Sequence, residues 1–407
     1  MKKLTVTGGV PLCGEISVSG SKNAALPILF ASLSVRGKSV IKNVPDIGDV
    51  RVAIELLRSF GAKVKRNGGT VSVDASSLEY RPPSAERTAK LRASTYLIGA
   101  CLARFGVCRL TPFGGCNFAP RPIDLHIFAA EALGANIEEG TVSAKKLVGA
   151  KIKLPKISVG ATVNALIMCA SASGESLIYG YAAEPHVMNL IEFLRSGGAD
   201  IRIEGDYIRV RGCVPESASV SIIGDMIEAG TYAIAAVATG GDVRIMGAEP
   251  SELSALNSLL LKGGAEVTEK DGAIRYSGRL TREISVIAAP YPAFPTDLQP
   301  PMSVALSLGA GGRIEDRVFP ERFGYLYELS RFGIRARAGY LGAHIYPLSA
   351  ACAASVKAPD LRGGAACLIA ALCAEGESVI ASAEKLARGY ESLTEKFTSL
   401  GARIKAE

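Results

Sequence analysis

The sequence predicts an α/β protein of two similar domains, each made of three βαβαββ units, and three observations carry that expectation. The chain has 407 residues, beyond the size of one ordinary hydrophobic core, so two domains of roughly 200 residues are the natural division. Six segments repeat one pattern, an apolar helix, a glycine and a strand: FGAKV, LGANI, GGADI, GGAEV, FGIRA and LGARI, whose marker glycines are Gly61, Gly134, Gly198, Gly264, Gly333 and Gly401. Their separations, 73, 64, 66, 69 and 68 residues, are regular enough to mark copies of one supersecondary unit. The composition, 48% hydrophobic and 21% charged with 44 glycines, is that of a globular chain with many tight turns.

Within each unit the elements follow in order. A loop opens an Ala-rich helix, as in SKNAALPILFASL, LRASTYLIGACLA, VGATVNALIMCAS, EAGTYAIAAVA and LRGGAACLIAALCA; the fifth copy, TDLQPPMSVALSL, is the least regular. A glycine then leads into a short strand, such as GKSVIKNV or GESVIASA. A second helix ends at the marker glycine, whose freedom at positive φ suits a helix C-terminus. Gly-Ala-x-Val/Ile restarts a strand of alternating polarity, as in AKVKRNGGTVSV and ADIRIEGDYIRV. Three units close around one apolar core. A short N-terminal strand precedes the first unit, which puts one domain at 21–225 and the other at 226–407 joined by residues 1–20.

Composition also excludes function classes. The N-terminus, MKKLTVTGGVPLCGEISVSG, alternates like a strand and does not read as a signal peptide, and no stretch reaches the ~18 apolar residues of a membrane span. Nine cysteines without CxxC pairs, mostly in apolar helical text (Cys101, Cys169, Cys367, Cys373), fit a reducing cytoplasm and argue against zinc or disulfides. The net charge of +7 comes from scattered Lys and Arg, which speaks against nucleic acid and for a small anionic ligand held by single basic residues in loops.

The repeats serve as their own control for candidate residues. From the glycine before the strand to the marker glycine, the second copy is the longest, 28 residues from Gly106 to Gly134 against 22 to 25 elsewhere. Its surplus is GGCNFAPRP, so Cys116 sits in an insertion, where functional loops concentrate. Cys116 is a nucleophile, a general acid or a spectator, and nearby Arg121 favours its thiolate. No Cys-His pair is evident: His126 reads as a helix start, and His186 and His344 lie in other repeats. Lys22 follows Gly20 and Ser21 at a helix start, where free N–H groups and the dipole attract an anion; the alternative is a capping serine beside a solvated lysine. A phosphate-binding Walker loop is excluded at RGKSV, because Ser32 stands where its first glycine belongs. Arg92 and Arg362 open apolar helices against the dipole and so need a partner, either a ligand or a carboxylate bridging domains. Arg388 and Arg322 stand at second-helix entrances with the same two readings. In AAPYPAFPTDLQPP, prolines surround Thr296 and Asp297, which is either a fixed proton acceptor or, more commonly for Asp, the cap of the next helix.

The motifs GSKNAALP, GGCxxxxRPIDLH, AFPTDLQ and DLRGGAA, in this order and in register with six repeats, resemble the enolpyruvyl transferases, in particular those acting on UDP-N-acetylglucosamine; the resemblance spans essentially the whole chain. It implies the fold of that family, two inside-out α/β barrels with the site in the cleft between them. It implies transfer of enolpyruvyl from phosphoenolpyruvate to the sugar 3′-hydroxyl, in peptidoglycan precursor synthesis, with no cofactor or metal and no obligate protein partner. Lys22, Asn23, Arg121 and Arg388 match the phosphoenolpyruvate site. Arg92, the run Arg121, Pro122, Ile123, Asp124 and Leu125, then Lys156, Ser158, Val159 and Gly160, match positions touching the UDP-sugar. Cys116 matches the proton donor that fosfomycin alkylates, Asp297 the group receiving the hydroxyl proton, and Val318 and Arg362 further active-site positions.

The sequence departs from the family pattern at three places. Phe118, Ala119 and Pro120 replace the usual Ile-Gly-x after the cysteine, which implies a stiffer loop, and Ala183 and Met226 stand where relatives often carry arginine. A weakly active paralogue binding a sugar nucleotide is therefore one rival reading. The other is the sister enzyme that uses shikimate 3-phosphate, against which stand Asn23, the Ala-Ala run and the Cys116 insertion.

Overall fold

The computed structural model describes residues 2–114 and 121–407, so Cys116 and the Phe118-Ala119-Pro120 segment lie outside the described residues. The chain divides into two compact units, one of residues 20–114 and 121–223, the other of 224–407 together with the residues up to Ser19.

The six repeats appear as six small sheets, and five of them have four strands in one arrangement. In each, an edge strand lies parallel to the strand that follows the repeat's first helix, and two further strands continue the sheet antiparallel. Lys151–Lys153 with Glu175–Tyr179, then Tyr207–Arg211 and Asp200–Glu204, is one such sheet. Among the described residues the second repeat differs, with three short strands, Val107–Arg109, Thr141–Ser143 and Asn136–Glu138. It is also the repeat that carries the GGCNFAPRP insertion.

Two segments complete sheets whose other strands lie far away in the sequence. Cys13–Ser17 is the parallel edge strand for Asp242–Met246 of the fourth repeat, and Ser217–Ser221 does the same for Lys38–Lys42 of the first. The sixth repeat supplies Ser355–Lys357, Glu377–Ala381 and Arg403–Ala406; the missing strand between the last two is Lys3–Thr7. The N-terminal segment thus completes two sheets of the C-terminal unit through backbone hydrogen bonds that would otherwise be left open.

Each unit is built around three helices that are apolar on every side, the pattern of a helix surrounded by protein. In the C-terminal unit these are Met226–Thr239, Gln299–Ser307 and Leu361–Cys373, which pack on one another; every residue of the first two is buried. Close packing relies on small residues: a Cβ on Gly230 would lie 2.3 Å from Leu298 Cδ1. The irregular fifth helix is continuous because Pro300 and Pro301 fall in its first turn, where no intrahelical N–H is lost. In the other unit the central helices are Lys22–Ala31, Leu97–Phe105 and Val159–Cys169. All six marker glycines have φ between 87° and 101°, the left-handed conformation expected of them at the ends of the second helices.

Candidate functional site

Each unit carries one cluster of predicted site residues. In the unit of residues 20–223, Lys22 is the first residue of its helix, with Nζ 3.7 Å from the buried Asp49 carboxylate. Ser21 makes no side-chain cap; its amide donates to the Ile223 carbonyl at 2.7 Å. The capping alternative for this stretch therefore fails, and the partner of Lys22 is a carboxylate, not solvent alone. Gly20 is required because a Cβ there would meet the Asn43 carbonyl oxygen at 1.8 Å. Asn23, half-buried, follows Lys22 on the same first turn.

Arg92 opens a 3₁₀ turn, Arg92–Tyr96, and its guanidinium donates to the Arg121 carbonyl at 2.6 Å and the Pro122 carbonyl at 3.4 Å. It braces the segment from which the helix Asp124–Ala132 starts. Burial, and then the charge of Arg121, lower the Arg92 pKa, so the pair is a partly desolvated cationic site. Ser158 caps the helix Val159–Cys169, accepting from the Ala161 amide at 3.3 Å, with Lys156 exposed just ahead of it.

What joins the 121–125 and 158–160 runs is a residue that sequence reasoning placed only at a helix start. His126 is buried; a Cβ on Gly160 would lie 2.7 Å from its Cε1 and 2.9 Å from its Nε2. Its Nδ1 accepts a hydrogen bond from the Asn164 amide at 2.6 Å, and Asn164 also accepts from Gly99 N (2.7 Å) and donates to Thr95 O (3.1 Å). Burial, with the Arg92 charge second, pulls the His126 pKa down to about 4, so the ring is neutral at ordinary pH and serves as a fixed acceptor. The signal available in the sequence was the pairing of an Asn inside an apolar helix with a His two residues after Asp124.

In the other unit the helix-cap reading of Asp297 is overturned. The turn Thr296–Leu298 is entered from Pro295 without a side-chain cap, and the following helix has none either. The Asp297 carboxylate instead faces two arginines. Arg322 Nη1 reaches Oδ1 at 2.9 Å, and Arg362 reaches Oδ2 through Nε at 3.1 Å and Nη2 at 2.9 Å. Both arginine side chains are 3% exposed, against 26% for Asp297. The carboxylate partner of Arg362 thus belongs to its own unit, and the domain-bridging alternative for it falls away.

Arg362 is placed by the helix Leu361–Cys373, whose cap is Asp360, accepting from the amides of Arg362 (2.9 Å) and Gly363 (3.1 Å). Its guanidinium carbon lies 5.3 Å over the Tyr390 ring, and the Tyr390 hydroxyl meets Thr231 Oγ1 at 3.0 Å. Burial alone would lower the Arg362 pKa, yet it stands above the ordinary value because the charges of Asp297 and Asp225 and the Tyr390 hydroxyl outweigh desolvation. Val318 is held by its amide, which donates to Asp316 Oδ1 at 2.9 Å. Arg388 ends the 3₁₀ turn Ala383–Arg388, two residues before Tyr390, and does not open a helix; the helix after it starts at Leu393. Tyr390, Asp225, Thr231 and Asp316 were not anticipated, since none belongs to a motif and only the fold brings them to Arg362 and Asp297.

The two departures with described positions are a half-buried Ala183 and a buried Met226. Met226 joins the hydrophobic core as first residue of its central helix, directly after Asp225, which caps that helix through the Ile227 and Glu228 amides at 2.8 and 3.1 Å.

A family model described as EPSP synthase (3-phosphoshikimate 1-carboxyvinyltransferase) matches residues 6–397. The chain is 40% identical to UDP-N-acetylglucosamine 1-carboxyvinyltransferase 3 of Caldanaerobacter subterraneus over 99% of both sequences, and 41% identical to UDP-N-acetylglucosamine 1-carboxyvinyltransferase 2 of Clostridium acetobutylicum over the full length of both. Among solved structures it is similar to the enolpyruvyl transferase NikO from Streptomyces tendae, with a TM-score of 0.87 and 25% identity over 99% of this chain and 98% of that one. EPSP synthase from Acinetobacter baumannii shares the fold over the whole of both chains, with a TM-score of 0.72 at 18% identity. With six βαβαββ repeats in two units, a family model matching from residue 6 to 397 and relatives about 40% identical end to end, the chain belongs to the enolpyruvyl transferase family and, within it, to the UDP-N-acetylglucosamine 1-carboxyvinyltransferases.

Proposed function

We propose that this chain transfers the enolpyruvyl group of phosphoenolpyruvate to the 3′-hydroxyl of UDP-N-acetylglucosamine with release of phosphate, the first committed step of peptidoglycan precursor synthesis. The observation that carries the reading is identity of 40–41% over essentially the whole length to relatives named for that activity. The sister activity toward shikimate 3-phosphate has less support, because the EPSP synthase likeness is one of fold at 18% identity.

The proposed chemistry assigns each group one task. Asp297 accepts the proton of the 3′-hydroxyl as its oxygen bonds to C2 of phosphoenolpyruvate, while the Cys116 thiol protonates C3. Loss of a C3 proton and cleavage of the bond from C2 to the phosphate oxygen then restore the double bond. Lys22, Asn23, Arg121 and Arg388 hold the anionic groups of phosphoenolpyruvate, and Arg362 and Arg322 stabilise charge around C2 and Asp297. Arg92, the Arg121–Leu125 run, Lys156, Ser158, Val159, Gly160 and Val318 position the UDP-sugar. The cationic pair Arg92 and Arg121, and the neutral His126 behind Gly160, support that assignment. The balanced reaction calls for no redox cofactor. A free thiol as proton donor suits the cytoplasm, and no helix among the described residues is long and apolar enough to cross a membrane.

The test is phosphate release measured with each acceptor separately. Release with UDP-N-acetylglucosamine and none with shikimate 3-phosphate is expected; the reverse would sink the assignment, and release with neither would favour the weakly active paralogue.

A further inference from the structure

Behind Asp297 lies a buried acid that the proposed chemistry leaves unused. Asp316 ends the strand Gly312–Asp316 and is fully buried. Its Oδ1 accepts from the amides of Val318 (2.9 Å) and Phe319 (2.8 Å), and its Oδ2 accepts from the Thr296 hydroxyl at 2.6 Å. Thr296 immediately precedes Asp297, and Val318 follows Asp316 by two residues, so one carboxylate ties together the two segments that carry these site positions. The Thr296 oxygen has a second neighbour, Arg322 Nη1 at 3.2 Å, and the same Nη1 reaches the Thr296 carbonyl at 3.1 Å and Asp297 Oδ1 at 2.9 Å.

The direction of this relay follows from which groups can donate. A guanidinium only donates, and an ionised carboxylate only accepts. The Thr296 hydroxyl therefore gives its hydrogen to Asp316 and turns a lone pair to Arg322. Burial raises the Asp316 pKa, opposed by the Phe319 amide, the Thr296 hydroxyl, the Val318 amide and the Arg322 charge. The charged groups around the relay are Arg322 and Arg362, both on Asp297, with Asp225 and Tyr390 behind Arg362. We propose that Asp316 is a positioning residue for the reaction: through the Thr296 hydroxyl it orients Arg322, and Arg322 in turn holds Asp297 in the geometry from which it takes the proton. This rests on the reading of Asp297 as proton acceptor.

Thr296→Val removes the relay with little change in shape or charge, and Thr296→Ser restores the hydroxyl. With the valine variant, kcat should fall about tenfold while KM for both substrates stays within about twofold, since the change touches the proton-transfer geometry and not the binding groups. The acid limb of its pH profile for kcat/KM should move to higher pH, because a looser Arg322 favours the ionised Asp297 less. Thr296→Ser should behave as the parent. Asp316→Asn is the second variant should the valine protein fail to fold: the two amides keep the side-chain oxygen in place, so the new NH2 faces Thr296 and its hydroxyl must reverse. It should show the same loss of kcat and the same shift. An unchanged kcat and acid limb in the valine variant, or a serine variant as impaired as the valine one, overturns the proposal. Asp297→Asn separates the two ideas: if it keeps the parent kcat, the assignment of Asp297 itself falls, whereas an inactive Asp297→Asn beside an unaffected Thr296→Val refutes the relay alone.

Discussion

Removal of Asp297 should cost more than its partial exposure suggests, because two buried guanidinium groups, and not one, would lose hydrogen bonds to it. The carboxylate receives three guanidinium hydrogen bonds of 2.9 to 3.1 Å, and the side chains that donate them are 3% exposed. Breaking a buried ion pair from one side costs about 3–5 kcal/mol, chiefly the desolvation of the charge left behind. Water reaches Asp297, which is 26% exposed, so the low end, about 3 kcal/mol, is the expectation for Asp297→Ala. Arg362→Met should remove one of those two charges while keeping an apolar stem under Tyr390. The double variant should then be more stable than the sum of the two single losses predicts, with a coupling of about 1–3 kcal/mol. Calorimetry and urea titration can follow the transition of the C-terminal unit, distinguished from the other unit by its insensitivity to Gly160→Ala. A cost below about 1 kcal/mol for Asp297→Ala, or additivity within about 0.5 kcal/mol, would refute the argument that the two guanidinium groups depend on this carboxylate.

Further consequences concern the other unit and the chain ends. Gly160→Ala should destabilise by about 1–3 kcal/mol and weaken UDP-sugar binding, since the added methyl would stand 2.7 Å from a His126 ring fixed by Asn164; an unchanged unfolding midpoint would contradict it. His126 has a folded pKa of about 4, below its ordinary 6.5, so the unfolded chain takes up the proton first. Its contribution to stability is present above pH 6.5 and is lost as pH falls toward 4, by about 3 kcal/mol in all; His126→Gln should flatten that part of the stability profile. Gly401→Ala meets no neighbouring atom, but its φ of 92° should cost about 1–2 kcal/mol, measurable by urea unfolding; no loss would mean that backbone conformation does not select glycine there. Cys116→Ser should abolish labelling by fosfomycin, followed by mass spectrometry, and undiminished labelling would identify another thiol as the reactive one.

The repeats were legible because they rest on local rules. Helix period, strand alternation and a glycine at each helix end are written in neighbouring residues, so six units and their order follow from the text, and the six left-handed glycines match. Helix starts were read less well. Ser21 and Asp297 have the residue types that cap helices, yet neither side chain caps, and the Asp297 carboxylate is taken by two arginines that only the fold brings to it. The strand Lys3–Thr7 was expected to join the C-terminal half, but its place between Glu377–Ala381 and Arg403–Ala406 was not, since nothing local specifies a pairing across 370 residues or more.

By itself, then, the sequence determined the repeating architecture, the two groups of three units and, through four ordered motifs, the candidate site residues. Tertiary structure alone decided what those residues touch: that Asp297 lies between Arg322 and Arg362, that Tyr390 and Thr231 stand behind Arg362, that Gly160 is small for the sake of His126, and that Asp316 reaches Thr296. The reason is physical. Backbone conformation is set over a few residues, whereas the partner of a buried charge is whatever packing brings within about 3 Å of it, from any distance along the chain.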